Sequence, residues 1–312
     1  MSHDLPIRIW TFNNPLPGIS DQLYFMADLL YQHKIAFDID NEPDPSALNI
    51  LIEHFNEDTA STVRDFCYTH TKKVAIILTE HIDFIDRKFL FHGRPLGVYN
   101  DYMAPSFQIQ RLKNLLELQE VTQGYLALGD LPRLINFSEA TPLIELYRLS
   151  YPLLNPHMME QGCSAEPEFD FCFCGGPTAH RAHMLDKIRQ MGFSVCGTDR
   201  FISVEERDKL IKKARIVLNI PQDTSWQWLS PLRTYAALRQ GKATLSIGTQ
   251  DNSEISKCCP QILQLETLSE YVANWRDFSR QCHRDYNELS KDFSRAHPFP
   301  KQMFELWALC EL

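Results

Sequence analysis

The segment 169–246 constrains the fold of this chain more than any other. It opens with the apolar strand pattern Phe169-Asp170-Phe171-Cys172-Phe173-Cys174 and breaks at Gly175-Gly176-Pro177-Thr178. A helix is expected over about 179–191, stopped by Gly192. A strand at 193–196, a charged helix over 204–214 and a strand at 215–220 follow. A polar loop with two tryptophans then leads to Ser230-Pro231-Leu232-Arg233. Strands that alternate with helices imply a parallel sheet, and such sheets gather ligands at their strand C-termini. Gly175, Gly176, Asn219 and Arg233 are expected to meet there, in a nucleotide-binding half-domain.

The first half alternates in the same way. Strands are expected at 7–12, 35–39, 48–52 and 73–78, with shorter ones at 125–128 and 145–149. A helix follows the turn-rich stretch 13–18, with Ser20 or Asp21 as its cap. Another is expected over 58–68. A longer one over 106–122 carries Ile109, Leu112, Leu115, Leu116 and Leu118 as its buried stripe. Periodicity is lost from Tyr151 to Pro167, the best linker candidate. The expected fold class is α/β, with two Rossmann-like domains facing across a cleft. The domains are 1–155 and 156–312, the second ending in helices over 268–281 and 301–310.

Composition narrows the function classes. A net charge of −9 over 312 residues argues against a general nucleic-acid binder, which shows a basic face. No apolar run is long enough to span a membrane, and 1–6 carries no secretory pattern, so a cytoplasmic protein is expected. The 9 cysteines are odd in number and scattered, as reduced core thiols are. Cys258 and Cys259 are adjacent rather than spaced for zinc, and His180 and His183 lack companion ligands in sequence. No metal site and no cofactor are expected.

The candidate site residues follow from strand ends and helix starts. A strand closing in glycines lets a phosphate approach the backbone, and the N–H groups of the next helix attract anions. Thr178 is a fitting N-cap. Arg181 in the first turn opposes the helix dipole unless an anion is bound there. Arg233 stands near the start of another helix, behind Ser230, and Asn219 ends a strand. Trp226 offers a stacking face for a sugar or base. In the first half Asn13, Asn14, Glu80 and His81 all sit at strand ends. A histidine there has the right pKa to take a proton from an acceptor hydroxyl. Adjacent residues on an extended strand point to opposite faces, so Glu80 and His81 are not expected to act as a dyad.

The run Asp170 to Gly176 with Arg181, Leu185 and Gly192 resembles the C-terminal domain of two-domain glycosyltransferases of the GT-B fold. So does Glu205 to Ile211 leading into Ala214 to Ile220, and Arg233 with Tyr235, Ala237, Leu238 and Gly241. The likeness is to bacterial group 1-type and spore-coat-like members and covers this region only. It implies a UDP- or other nucleotide-sugar donor and transfer without a bound metal. Gly175, Gly176, Thr178 and Arg181 would hold the diphosphate, with Asn219, Ser230 and Arg233 near the donor. The acceptor (glycan, lipid, small molecule or protein) would sit on the side of Asn13, Asn14 and Trp226. Many relatives carry a glutamate close to this arginine, whereas Ser230 and Ala236 stand here, with Asp223 or Glu254 as candidate substitutes. That departure keeps open a non-catalytic binding protein on the same scaffold, and a sugar-nucleotide epimerase is a further alternative. A dinucleotide oxidoreductase is disfavoured, because no G-x-G-x-x-G follows the first strand.

Overall fold

The computed structural model describes residues 6–12, 14, 16–53, 58–70, 73–99, 103–129, 134–198 and 202–310. The chain divides into two units, Met1–Pro152 with Phe293–Leu312, and Leu153–Asp292.

In the first unit β1 (Ile7–Trp10), α1 (Leu16–Gln32), β2 (Phe37–Asp40), β3 (Leu48–Ile52), α2 (Thr59–His70) and β4 (Val74–Ile77) alternate. A meander of β5 (Ile82–Ile85), β6 (Lys88–Phe91) and β7 (Arg94–Pro95) interrupts them. Then come α3 (Pro105–Leu118), β8 (Gly124–Leu128), α4 (Leu134–Ala140) and β9 (Leu146–Leu149). Six strands form one parallel sheet ordered β2-β1-β3-β4-β8-β9, and β5-β6-β7 form a separate antiparallel sheet. Strands β3, β4 and β8, apolar but for Asn49 of β3, are buried along their whole length, as strands covered on both faces must be.

Two local expectations need correction. Helix α1 starts at Leu16, so Ser20 and Asp21 lie inside it rather than capping it. The buried face of α3 is Gln108, Arg111, Leu112, Asn114, Leu115 and Leu118, while Ile109 is exposed.

The second unit runs α5 (Pro156–Ser164), β10 (Phe169–Cys174), α6 (Ala179–Gln190), β11 (Val195–Thr198), α7 (Val204–Lys213), β12 (Ala214–Asn219) and α8 (Pro231–Arg239). It continues through β13 (Ala243–Ile247), β14 (Gln261–Ile262), α9 (Leu268–Ala273) and most of α10 (Trp275–Ala296). Its parallel sheet is ordered β11-β10-β12-β13-β14. Period-two alternation sends Phe171, Phe173, Ile216 and Leu218 into one core with Ile188, Leu268 and Trp275. Cys172 and Val217 enter another core with Ile211 and Ala237. Helices therefore cover both faces.

The fold is α/β, with two Rossmann-like parallel sheets and C-terminal helices. In each sheet the second strand lies on one side of the first and the third on the other. That reversal creates a switch point between β1 and β3, and again between β10 and β12.

The unit boundaries differ from the expected 1–155 and 156–312, because the last helix, α11 (Phe299–Ala308), belongs with the first unit. Its residues Phe299, Met303 and Leu306 are fully buried at helical spacing. The Phe299 ring stacks on His33 at 5.4 Å, and Gln302 donates to the Arg148 carbonyl at 2.9 Å.

Candidate functional site

At the C-terminal ends of β10 and β12 the backbone turns are tied together by side chains. Thr178 caps α6, its Oγ1 accepting from the Arg181 N–H at 3.2 Å and donating to the Gln222 carbonyl at 2.9 Å. Arg181 is buried beneath this turn. Its Nε donates to the Ile220 carbonyl at 2.9 Å and its Nη1 to the Gly176 carbonyl at 2.8 Å. Those carbonyls follow β12 and β10 respectively, so one guanidinium spans the switch point.

Ser230 caps α8 by accepting from the Arg233 N–H at 3.3 Å. Arg233 Nη1 donates to Asn219 Oδ1 at 2.7 Å, and Asn219 Nδ2 donates to Ser246 Oγ at 2.7 Å. The two arginines converge on one ring. Their guanidinium carbons lie 5.4 Å (Arg181) and 5.9 Å (Arg233) from the centroid of Phe173, within cation–π range. Gly175, Gly176, Thr178, Arg181, Asn219, Ser230 and Arg233 are thus gathered at one strand edge.

Gly176 has neither a left-handed φ nor any atom within 4 Å of where a Cβ would stand. Neither backbone conformation nor packing explains the glycine; it leaves an open face beside a helix N-terminus. His180, in the first turn of α6, is held below the usual imidazole range by burial, an effect that Asp223 opposes.

Trp226 is half-buried in the loop between β12 and α8, its N–H donating to the Asp223 carbonyl at 3.2 Å. Asp223 accepts from the Ser225 N–H at 2.8 Å, and Glu254 pairs with Lys257 on an exposed turn. Phe173 was not among the residues singled out from sequence. Its alternation marks it only as a core position, and its place between two arginines shows in three dimensions alone.

In the first unit the strand-end residues close on one another. Glu53, just past β3, meets Arg111 of α3, whose Nε lies 3.0 Å from Glu53 Oε1. Arg111 Nη1 lies 3.0 Å from Glu80 Oε1, and its Nη2 donates to Thr79 Oγ1 at 3.0 Å. Thr79 donates its N–H to Glu53 Oε2 at 2.8 Å. His92, in the turn between β6 and β7, places Nε2 2.6 Å from Glu80 Oε2. All but the half-buried Thr79 are buried. Burial pushes the Glu53 carboxyl up to about 7 despite Arg111, and it lowers the pKa of His92 although Glu80 raises it.

Glu80 is therefore a member of a buried charge ring. His81 is buried beside it, its ring 5.6 Å from that of His92 and its carbonyl accepting the His92 N–H. Asn14 donates to the Ile52 carbonyl at 3.1 Å, bridging the ends of β1 and β3. Asn13 lies outside the described residues. Glu53, His92 and Arg111 escaped the sequence reading, although Arg111 falls at stripe spacing with Gln108 and Leu115.

Among the described residues no three or more His, Cys, Asp or Glu side chains are grouped so as to hold a metal ion. None of the described helices is long and apolar enough to cross a membrane.

No family model and no curated protein matches the chain. Among solved structures it is similar to an O-GlcNAc transferase mutant from Thermobaculum terrenum, with 11% identity and a TM-score of 0.42 over 99% of this chain and 69% of that one. It is also similar to an α1,3-fucosyltransferase solved with GDP, with 11% identity and a TM-score of 0.39 over 100% of this chain and 92% of the other. At TM-scores below 0.5 neither assigns a family or an activity to this chain.

Proposed function

We propose that the protein is a glycosyltransferase that moves a sugar from a nucleotide-sugar donor to an acceptor hydroxyl. The observation that carries this is the meeting of Arg181 and Arg233 on Phe173, beside the open face of Gly176 and the start of α6. In this reading the donor diphosphate lies over Gly175 and Gly176. Arg181 fixes the two turns through the Gly176 and Ile220 carbonyls. Arg233 and the first-turn N–H groups of α6 offset the charge that grows on the leaving diphosphate.

The first unit carries the acceptor side, with Asn14 as a polar contact and His81 as the base for the acceptor proton. Glu80, engaged by Arg111 and His92, positions that strand end. The subtype suggested by the sequence, a group 1-type enzyme using a UDP-sugar without a metal, belongs to the same proposal. So does a cytoplasmic location.

A second reading has one observation in its favour. Ser230 acts as a helix cap and Ala236 is buried, so the usual carboxylate near Arg233 is missing from both positions. A non-catalytic nucleotide-sugar-binding protein would tolerate that loss.

Arg233→Ala separates the readings when donor hydrolysis and transfer are followed over a panel of UDP- and GDP-sugars. Turnover should fall by about 10²–10³ with an unchanged circular dichroism spectrum. Near-normal turnover would refute the role of Arg233. Tight donor binding by the wild type with no turnover on any acceptor would favour the binding protein.

A further inference from the structure

The nine cysteines differ in a way that singles out one of them. Eight are buried, and Cys174, the last residue of β10, is half-buried. Burial raises the thiols of Cys258 and Cys259 to about 12, so that pair is both protonated and closed to solvent. A small oxidant that meets the folded chain therefore meets Cys174 first.

The partner is already in place. Period-two alternation puts Cys172 on the same face of β10, and the two sulfur atoms lie 3.4 Å apart. Cys196 of β11 stands in register with Cys172 and is hydrogen-bonded to it. Its own Sγ donates to the Leu210 carbonyl at 3.7 Å, which leaves Cys172 as the sulfur beside Cys174. All three thiols lie in the core against α7. We propose that Cys172 and Cys174 form a reversible oxidation site, at which a hydroperoxide converts the two thiols into one disulfide. The proposal is independent of the donor reading, and it sets the modification at the root of the Gly175–Gly176 turn.

The chemistry runs in two displacements. Cys174 Sγ gives up its proton and attacks the terminal oxygen of the hydroperoxide; an S–O bond forms, the O–O bond breaks, and the remaining oxygen leaves as an alcohol or water. Cys172 Sγ then attacks the sulfenic sulfur; the S–S bond forms, the S–O bond breaks, and hydroxide leaves as water with the Cys172 proton. Two thiols lose two protons and two electrons, and the hydroperoxide takes up both. Hydrogen bonds to Cys174 and Cys196, then burial, hold the Cys172 thiol protonated, so Cys172 follows rather than starts the reaction. Reach is sufficient. Alternate residues of a strand stand about 6.6 Å apart at Cα, within the span of roughly 4.4–6.8 Å that a disulfide bridges.

The test treats the intact native chain with hydrogen peroxide, blocks the remaining thiols and maps the peptides by mass spectrometry. The expected product is a peptide holding Cys172 and Cys174, lighter by two hydrogen atoms, with neither sulfur blocked and both recovered by dithiothreitol. Cys258 and Cys259 should remain free, as an internal control. In Cys174→Ser, a change at a half-buried position, loss of the Cys172 thiol should slow by about tenfold or more. In Cys172→Ala, oxidation should stop at the Cys174 sulfenic acid, captured by a cyclic dione.

Three results would overturn the proposal. One is a wild-type Cys174 that stays free while other thiols react. Another is a Cys174 carried on to sulfinic acid with no bond to Cys172. The third is an equal rate of Cys172 loss in wild type and Cys174→Ser. Should Cys172→Ala fail to fold, the wild-type map and Cys174→Ser decide the matter.

Discussion

The two sheets share a strand order through their first five parallel members, so the strand ends at and next to the switch point can be compared. In the first unit carboxylates just past β3 and β4 close on the Arg111 guanidinium and the His92 ring in a buried cluster. In the second unit Arg181 meets the neutral carbonyls of Gly176 and Ile220, and Arg233 meets the neutral amide oxygen of Asn219. A guanidinium between two carboxylates is electrically satisfied and seals a strand end. The carbonyl and amide dipoles fix the two guanidinium groups of the second unit in place. Polar residues at strand ends do not by themselves make a site; the two ends differ in the groups that meet there, carboxylates in one and main-chain carbonyls in the other.

The largest expected effect comes from breaking the sealed end. Arg111→Met should lower unfolding stability by about 3–5 kcal/mol, because two carboxylates stay buried without their cation. Adding Glu53→Gln and Glu80→Gln to the same variant should recover much of the loss. Guanidinium unfolding of the single and triple variants checks both, and a single variant within about 1 kcal/mol of wild type would break the comparison.

The next effect sharpens it through pH. The Glu53 carboxyl is raised from 4.5 to about 7, chiefly by burial. The folded chain therefore holds this proton more tightly than the unfolded one. Its stabilising contribution is complete below pH 4.5 and is lost as pH rises through 7, a change of up to about 3 kcal/mol. His92 has the opposite sign: burial lowers its pKa, so its contribution disappears as pH falls below the ordinary imidazole value. Glu53→Gln isolates the first slope. Between pH 5 and 8 the stability of wild type relative to this variant should decline, as measured by chemical denaturation. A constant difference would mean that Glu53 stays ionised throughout.

Much of this architecture can be read from the residues. Apolar runs such as Leu48–Ile52 and Phe169–Cys174 declare buried parallel strands, and the Gly175-Gly176 break declares the turn where the donor candidates gather. The meander β5-β6-β7 is harder to see. Its turns place Asp86, Arg87 and His92 at positive φ with Gly93 the one glycine, so the usual Asn-Gly or Asp-Gly signal is missing. The charge ring is hidden for a related reason. Arg111 and Gln108 occupy core-facing positions of α3, and only partners distant in sequence, Glu53, Glu80 and Thr79, make that burial tolerable. Helix α11 is plain as a helix, but no local pattern says which unit its apolar face will meet.

The smallest expected effect on stability is the most discriminating on function, and it concerns Gly176. At most positions a glycine is retained because φ is positive or because a Cβ would collide. Gly197 shows both, with φ +150° and a would-be Cβ 1.9 Å from the Phe173 carbonyl oxygen. Gly176 shows neither. Gly176→Ala should therefore fold normally, and even gain about 0.4–1 kcal/mol from the stiffer unfolded chain. The same methyl group would stand where the proposed diphosphate approaches the backbone, so donor affinity should fall by about tenfold or more. Thermal unfolding and calorimetry with UDP, run on one preparation, read the two effects together. Loss of stability would point to a packing role for this turn, like that of the first unit's sealed ring. A stabilised variant that binds donor as wild type does would show that the open face of Gly176 admits no ligand.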